Sequence, residues 1–162
     1  MTKLYVMIGL PYSGKSTWAR QQAAKWEHAD VLSTDVYIES WAATSDQTYN
    51  DVFCNKIKKA TKYFKEDIDD YVSGEYAPVE AIFIDQTNLT VAKRKSLIEK
   101  FSDSRFEKIA VVFNVSDERI KERRNQRIGK IISDDIIESM KARFEKPTFE
   151  EGWDAIMEID TA

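Results

Sequence analysis

The residues with most to offer chemistry are a lysine and two hydroxyls that close a run bounded by glycines, Gly9-Leu10-Pro11-Tyr12-Ser13-Gly14-Lys15-Ser16-Thr17. That spacing is the pattern of a phosphate-binding loop. Gly9 and Gly14 let the backbone turn so that successive amide N–H groups point inward, and the positive end of a following helix adds to their hold on anionic oxygens. Pro11, Tyr12, Ser13 and Thr17 complete the binding loop. Lys15 is placed to reach terminal phosphates and Ser16 to set its hydroxyl on magnesium, so ATP and Mg2+ are the expected ligands.

Transfer of a phosphoryl group also needs an acceptor side. The short apolar stretch Asp30-Val31-Leu32-Ser33 reads as a strand whose end delivers Asp35, where a carboxylate can meet a substrate beside the terminal phosphate. The competing reading is that Asp35 only caps a helix over Val36 to Ala43. A second apolar run, Val79 to Ile84, leads into Asp85-Gln86-Thr87-Asn88. An acid directly after such a strand suits the magnesium shell, and Thr87 and Asn88 add neutral hydrogen-bonding groups; a turn rich in turn-forming residues is the alternative. Farther on, Ser116-Asp117-Glu118 opens a helix in which Arg119, Arg123 and Arg127 recur every four residues, thickened by Lys121, Arg124 and Lys130. With Ile120 and Ile128 almost the only apolar residues between 119 and 130, the segment at about 117–132 is expected to be held loosely and to close as a lid; a solvated helix is the plainer alternative.

Positioning these groups requires strands that end together. Leu4 to Ile8 precedes the glycine loop, Phe106 to Val115 carries the near-continuous apolar run Ile109 to Phe113, and helices are expected between the strands. The alternation predicts an α/β fold: a central parallel sheet of four or five strands, helices on both faces and a helical lid. Tyr49 to Ser73 is the longest periodic segment, with Phe53, Ile57, Ala60, Phe64, Ile68 and Tyr71 as its packing stripe. Lys58, Lys62 and Lys65 form a second stripe, either phosphate-facing or merely solvated. Val91 to Phe101 reads as a helix that carries Lys93, Arg94 and Lys95 near its start, where cations are disfavoured unless another partner holds them. Ser133 begins a helix with Ile136, Ile137, Met140 and Phe144 on one side, stopped at Pro147, and the tail from Thr148 to Ile159 has enough apolar surface to dock and add a last strand.

The totals set bounds. A chain of 162 residues predicts one domain, 1–162. Its hydrophobic share of 43% and charged share of 32% suit a soluble protein; no apolar run reaches membrane length and the N-terminus lacks signal-peptide features, which predicts a cytoplasmic location and no membrane partner. The single histidine, His28, excludes chemistry that needs a histidine pair. The single cysteine, Cys54, excludes an internal disulfide and is expected at the core or its boundary. A net charge of −4 gives no general attraction to nucleic acid, so any such site must be a local basic patch.

Together these motifs resemble the kinase domain of polynucleotide 5'-hydroxyl kinases, from bacteriophages and from the animal kinase-phosphatases. The resemblance runs nearly end to end. It rests on Gly9 to Thr17 with Trp18-Ala19-Arg20, Asp35, Asp85 to Asn88 in place of Asp-Asn-Thr-Asn, the arginine-rich lid, and Phe144-Glu145-Lys146-Pro147-Thr148-Phe149-Glu150-Glu151-Gly152-Trp153, which looks like the family's Phe-Glu-x-Pro-Thr-x-x-Glu-Gly-Phe ending. It implies ATP and magnesium on Lys15, Ser16 and Asp85, Asp35 as general base for the acceptor hydroxyl, and Arg123, Arg124 or Arg127 stabilising the transferring group. It also implies Asp85, Thr87 and Asn88 on the substrate side and a DNA or RNA 5'-hydroxyl end as partner. Departures fall on the acceptor side: Ser33-Thr34-Asp35 and Ile38 stand where the family places two phosphate-binding cations, and Ile128 aligns with its lid arginine. No phosphatase activity is expected. The alternative acceptors are a hydroxymethylated base within DNA, a nucleoside or another small alcohol. A nucleotide-binding switch or regulatory ATPase without an acceptor is the third reading, against which Asp35 argues.

Overall fold

Strand β1 (Thr2–Ile8) sends Leu4, Val6 and Ile8 to one side and Tyr5 and Met7 to the other, as the two-residue period of a strand requires. Both sides are apolar, so both must be covered, and this forces helices onto two faces. In the computed structural model, which describes residues 1–161, the covering elements are α1 (Lys15–Ala23), α2 (Thr34–Ser45), α3 (Tyr49–Ser73), α4 (Val91–Lys100), α5 (Asp117–Gln126) and α6 (Asp134–Arg143). The remaining strands are β2 (Ala29–Leu32), β3 (Ala81–Ile84), β4 (Phe106–Val115) and β5 (Ala155–Thr161). All neighbours pair in parallel, in the order β2-β3-β1-β4-β5. The apolar tail supplies β5, so the sheet has five strands among the described residues.

Leu4, Val6 and Ile8 pack with Ile82, Ile84, Ile68 of α3, Leu97 of α4, Phe101 and Trp153. Met7, Phe83 and Val111 pack on the other face with Ala19 and Trp18 of α1. A third cluster joins α2 to the first half of α3 through Ile38, Ala42, Val52 and Ala60. Because α3 meets α2 with its N-terminal half and the sheet with its C-terminal half, its apolar stripe is not one continuous seam. Phe53, expected in that stripe, is 38% exposed, and Cys54, expected at the core or its boundary, is exposed. Val52 takes the buried place instead.

The connection leaving β1 runs through α1 outward to β2, whereas the one leaving its neighbour β3 runs the other way through α4 to β4, and between these two diverging connections a crevice is left at the carboxyl ends of the strands. The turns after β1, β2 and β3 open into that crevice. No helix among the described residues is long and apolar enough to cross a membrane.

Candidate functional site

Among the described residues, five of the six α-helices begin with a serine or threonine side chain accepting a backbone N–H: Ser33 on α2, Thr48 on α3, Thr90 on α4, Ser116 on α5 and Ser133 on α6. Helix α1 begins at Gly14 with no side-chain cap. Its first amides are therefore left for an anionic ligand, with the helix dipole behind them. Gly14 sits at φ +94°, and a Cβ on Gly9 would lie 3.0 Å from Ser13 Oγ and 3.1 Å from Phe113 Cβ, so both turns require glycine. Tyr12 also takes a left-handed conformation, φ +64°. Its carbonyl accepts from Arg123 Nη1 at 2.9 Å, and its hydroxyl donates to Lys130 O at 3.1 Å and accepts from Ile132 N at 3.0 Å, which ties the glycine loop to the segment after α5.

Lys15 folds back over the loop and donates to Gly9 O at 3.0 Å and Leu10 O at 2.7 Å. Burial pulls its ammonium down to a pKa of about 8 against the opposing pull of Asp85 and Asp35. Ser16 donates to Asp85 Oδ2 at 2.6 Å, and Asp85 is itself buried at the end of β3. One hydroxyl and one carboxylate side by side fit magnesium, which keeps several waters and phosphate oxygens and needs few protein donors.

Asp35 stands in the first turn of α2, but Ser33 is the residue that caps it, accepting from Asp35 N at 3.0 Å. The Asp35 carboxylate is thus spared that task and points into the cavity. Tyr49 of α3 donates to Oδ1 at 2.5 Å and Lys130 donates to Oδ2 at 2.7 Å, with Lys130 Nζ also 4.5 Å from the centre of the Tyr49 ring. Burial and the Asp35 charge push the Tyr49 phenol upward, so it stays a donor. Arg127 pairs with Glu39 at 2.9 Å.

A cavity of about 1100 Å3 joins these groups: Pro11 to Thr17 of the glycine loop, Thr34, Asp35, Glu39, Asp85, Thr87, Arg123 and Arg127 all line it. Three expected residues do not. Gly9 is outside the lining, and its carbonyl accepts from Lys15 Nζ. Arg124 turns away to donate to Ile132 O at 2.6 Å, near Asp134. Asn88, at φ +47°, donates to Met7 O at 2.8 Å and braces the turn after β3. The helix over Arg119, Arg123 and Arg127 ends at Gln126, and Arg127 has extended backbone, so the three guanidiniums do not share one helical face. Ile120 is buried but Ile128 is 97% exposed.

The cation partner anticipated near the start of α4 is Glu151. Arg94, wholly buried, meets it with Nε at 2.8 Å and Nη2 at 3.2 Å and holds Asn88 O at 3.0 Å. The tail motif around Thr148 and Glu151 is therefore a strut under the turn after β3, with Glu151 also accepting from Thr148 N. Tyr49, Glu39 and Phe53 reach the cavity without having been expected there. For Tyr49 and Phe53 the sequence signal is indirect, the capping box Thr48 to Asp51 that fixes where α3 begins, and for Glu39 it is the four-residue spacing from Asp35 on α2.

An uncapped helix behind a glycine loop, at the carboxyl ends of a five-strand parallel sheet, defines the P-loop kinase-like class of fold, which implies nucleotide binding. Residues 4–147 match the AAA domain family (AAA_33), and the chain belongs to it. Among solved structures, Kti12 from Chaetomium thermophilum in complex with ADP-AlF3 is similar at 21% identity and TM-score 0.65, covering 97% of this chain and 88% of that one. A putative kinase from Chloroflexus aurantiacus aligns at 16% identity and TM-score 0.69 over 99% and 85% of the two chains. A fungal RNA kinase aligns at 16% identity and TM-score 0.64 over 98% of this chain and 38% of that one. At such identities the likeness is one of fold.

Proposed function

We propose that the chain is an ATP-dependent kinase that transfers the γ-phosphate to a hydroxyl, with residues 1–162 working as one P-loop kinase domain in the cytoplasm and 117–132 as its lid. The observation that carries the reading is the convergence in one cavity of an uncapped phosphate loop, the Ser16–Asp85 pair and a carboxylate, Asp35, that is not consumed by capping. ATP with magnesium, when bound, supplies an activated phosphoryl group. Gly9 to Thr17 hold its phosphates, Ser16 and Asp85 hold the metal, and Arg123 and Arg127 stand where they can neutralise charge from the lid side. Asp35 orients the acceptor hydroxyl and takes its proton, and Thr87 lines the same cavity. Arg124 and Asn88 act at one remove, by shaping the lid loop and the turn after β3.

The sequence resemblance supports a 5'-hydroxyl end of DNA or RNA as acceptor, and the fungal RNA kinase among the structural neighbours is in keeping with it. A small alcohol is the second reading, favoured by one observation: Lys130 and Arg127, which line the cavity, are already paired with Asp35 and Glu39. Incubation with γ-labelled ATP and magnesium, offering 5'-hydroxyl and 5'-phosphate oligonucleotides, base-modified DNA, nucleosides and sugars, tests the proposal. Label on any alcohol that vanishes with Asp35→Asn is the expected result; release of free phosphate with every acceptor unlabelled would assign the chain to the regulatory ATPases.

A further inference from the structure

We infer that the acceptor end of the cavity is a subsite for an uncharged alcohol with a flat apolar or aromatic body of about nucleoside size, gripped by that body and not by phosphate groups; the inference rests on the kinase reading. The Tyr49 ring, hydrogen-bonded to Asp35, is followed one helical turn later by Phe53, with ring centres 5.7 Å apart and planes inclined by 31°. An aromatic surface thus runs outward from the carboxylate along α3. Facing elements add Ile131, from the loop after α5, and Ile136 and Met140, one turn apart on α6; all line the same cavity. Phe53, Ile131 and Ile136 are 38%, 54% and 49% exposed, a large apolar area to leave open around one site.

The loop that carries Ile131 is fixed there. Asn50 N donates to Gly129 O at 3.0 Å, Asn50 Nδ2 to Ile131 O at 3.1 Å, and Ile131 N to Asn50 Oδ1 at 3.1 Å. The apolar wall is consequently part of the folded site and not a stray side chain.

Charge points the same way. The carboxylates Asp35 and Glu39 are balanced one for one by Lys130 and Arg127, leaving this end of the cavity close to neutral. Binding through a phosphate backbone needs cations in excess of local carboxylates. The lysine-rich part of α3 does not supply them. Lys56 and Lys59 lie 5.6 and 5.5 Å from the centre of the Trp41 ring. Tyr37 and Trp41 each follow Asp35 and Glu39 by two residues, about 200° around α2. None of Tyr37, Trp41, Lys56 and Lys59 lines the cavity.

Cys54, the only cysteine, is exposed and lines the cavity beside Phe53, so it serves as a reporter that does not depend on turnover. The probes are thymidine, thymidine 3'-monophosphate, a 5'-hydroxyl oligothymidine and glucose, offered to the full chain with ATP and magnesium. Thymidine is expected to slow alkylation of Cys54 by a maleimide and to be phosphorylated with kcat/KM at least tenfold above the other three. Ile136→Asn, at an exposed position where folding has little at stake, should raise the thymidine KM about tenfold and leave the ATP KM unchanged. Preference for the 3'-monophosphate or the oligonucleotide, with affinity that falls steeply as salt rises, overturns the inference and leaves the kinase reading standing. So does preference for glucose. Absence of label on all four, with Cys54 unprotected, overturns both.

Discussion

The two ends of the cavity are built by different means. On the donor side the ligand-facing groups are backbone amides held by local conformation: Gly9 crowded against Ser13 and Phe113, Gly14 at φ +94°, and an uncapped α1. On the acceptor side they are side chains from α2, α3 and the loop after α5, meeting through Asp35–Lys130, Asp35–Tyr49 and Arg127–Glu39, with Ile136 and Met140 of α6 lining the same cavity. A site made of backbone is fixed by short-range sequence and changes little without loss of the fold. One made of long side chains from four elements can be retuned by single substitutions, which is where a shared P-loop frame can acquire different acceptors.

Substitutions at the two ends should therefore separate. Lys15→Met removes the buried ammonium proposed to meet the phosphates, and should lower phosphoryl transfer by about 10³-fold and weaken nucleotide affinity with it. Asp35→Asn should cost transfer about 10²- to 10⁴-fold while nucleotide affinity, read by a fluorescent ATP analogue, stays within about twofold of wild type. If Asp35→Asn loses nucleotide affinity as Lys15→Met does, the division into two ends fails.

Legibility followed the same division. The strand, loop and helix from Thr2 to Ala23 could be read because each decision depends on residues within a few positions, and α3 was legible over its full span, Tyr49–Ser73, for the same reason. Asp35 could be placed at a strand end, but whether it capped α2 could not, since Ser33 and Thr34 offer the helix equivalent hydroxyls. The position of Lys130 over Asp35 depends on where α5 stops and how the next six residues fold back onto Asn50, which periodicity does not encode. Arg94 advertised a missing partner by its misfit at a helix start. That partner, Glu151, lies 57 residues away and only the docking of the tail brings it in.

The Arg94–Glu151 pair carries the acceptor-side turn on a structural strut, so Arg94→Met should act on stability before it acts on chemistry. Removing one partner of a buried bidentate pair strands the other carboxylate and costs about 3 kcal/mol, seen as a lower midpoint in urea. In whatever protein stays folded, nucleotide affinity should fall less than stability does, because the strut meets the turn after β3 at Asn88 O and reaches the glycine loop only through Thr87 O, which accepts from Gly9 N at 3.0 Å.

Titration sharpens the donor side. Lys15 in the ligand-free fold has a pKa of about 8, lowered from 10.5 because burial disfavours its charged form. The unfolded chain thus binds more protons than the folded one between about 8 and 10.5, so the cost of burying the Lys15 charge, present in full below about pH 8, fades and stability rises with pH through that window. Nucleotide binding has the opposite sign. Phosphates favour the ammonium, so affinity should be flat below about pH 8 and fall by up to tenfold per pH unit above it. Calorimetry near pH 8.5 in buffers of different ionisation enthalpy should record proton uptake on binding, and Lys15→Met should abolish both the uptake and the slope.

The smallest effect expected is at Lys130, and it bears directly on the acceptor side. Its ammonium occupies Asp35 Oδ2, the oxygen left over when Tyr49 has taken Oδ1, so in the resting protein it competes with an incoming hydroxyl for the carboxylate. The pair is partly exposed, worth about 1 kcal/mol or less, which sets the ceiling near fivefold. Lys130→Met keeps the stem over the Tyr49 ring and leaves the Asn50 clamp on Ile131 intact, so the loop should remain seated. On these grounds kcat/KM for the acceptor should rise about threefold, most at low ionic strength, with the ATP KM unchanged. A fall of the same size would make Lys130 a contact of the acceptor or of the transferring group, and the acceptor end would then hold one more working cation than its resting ion pairs disclose.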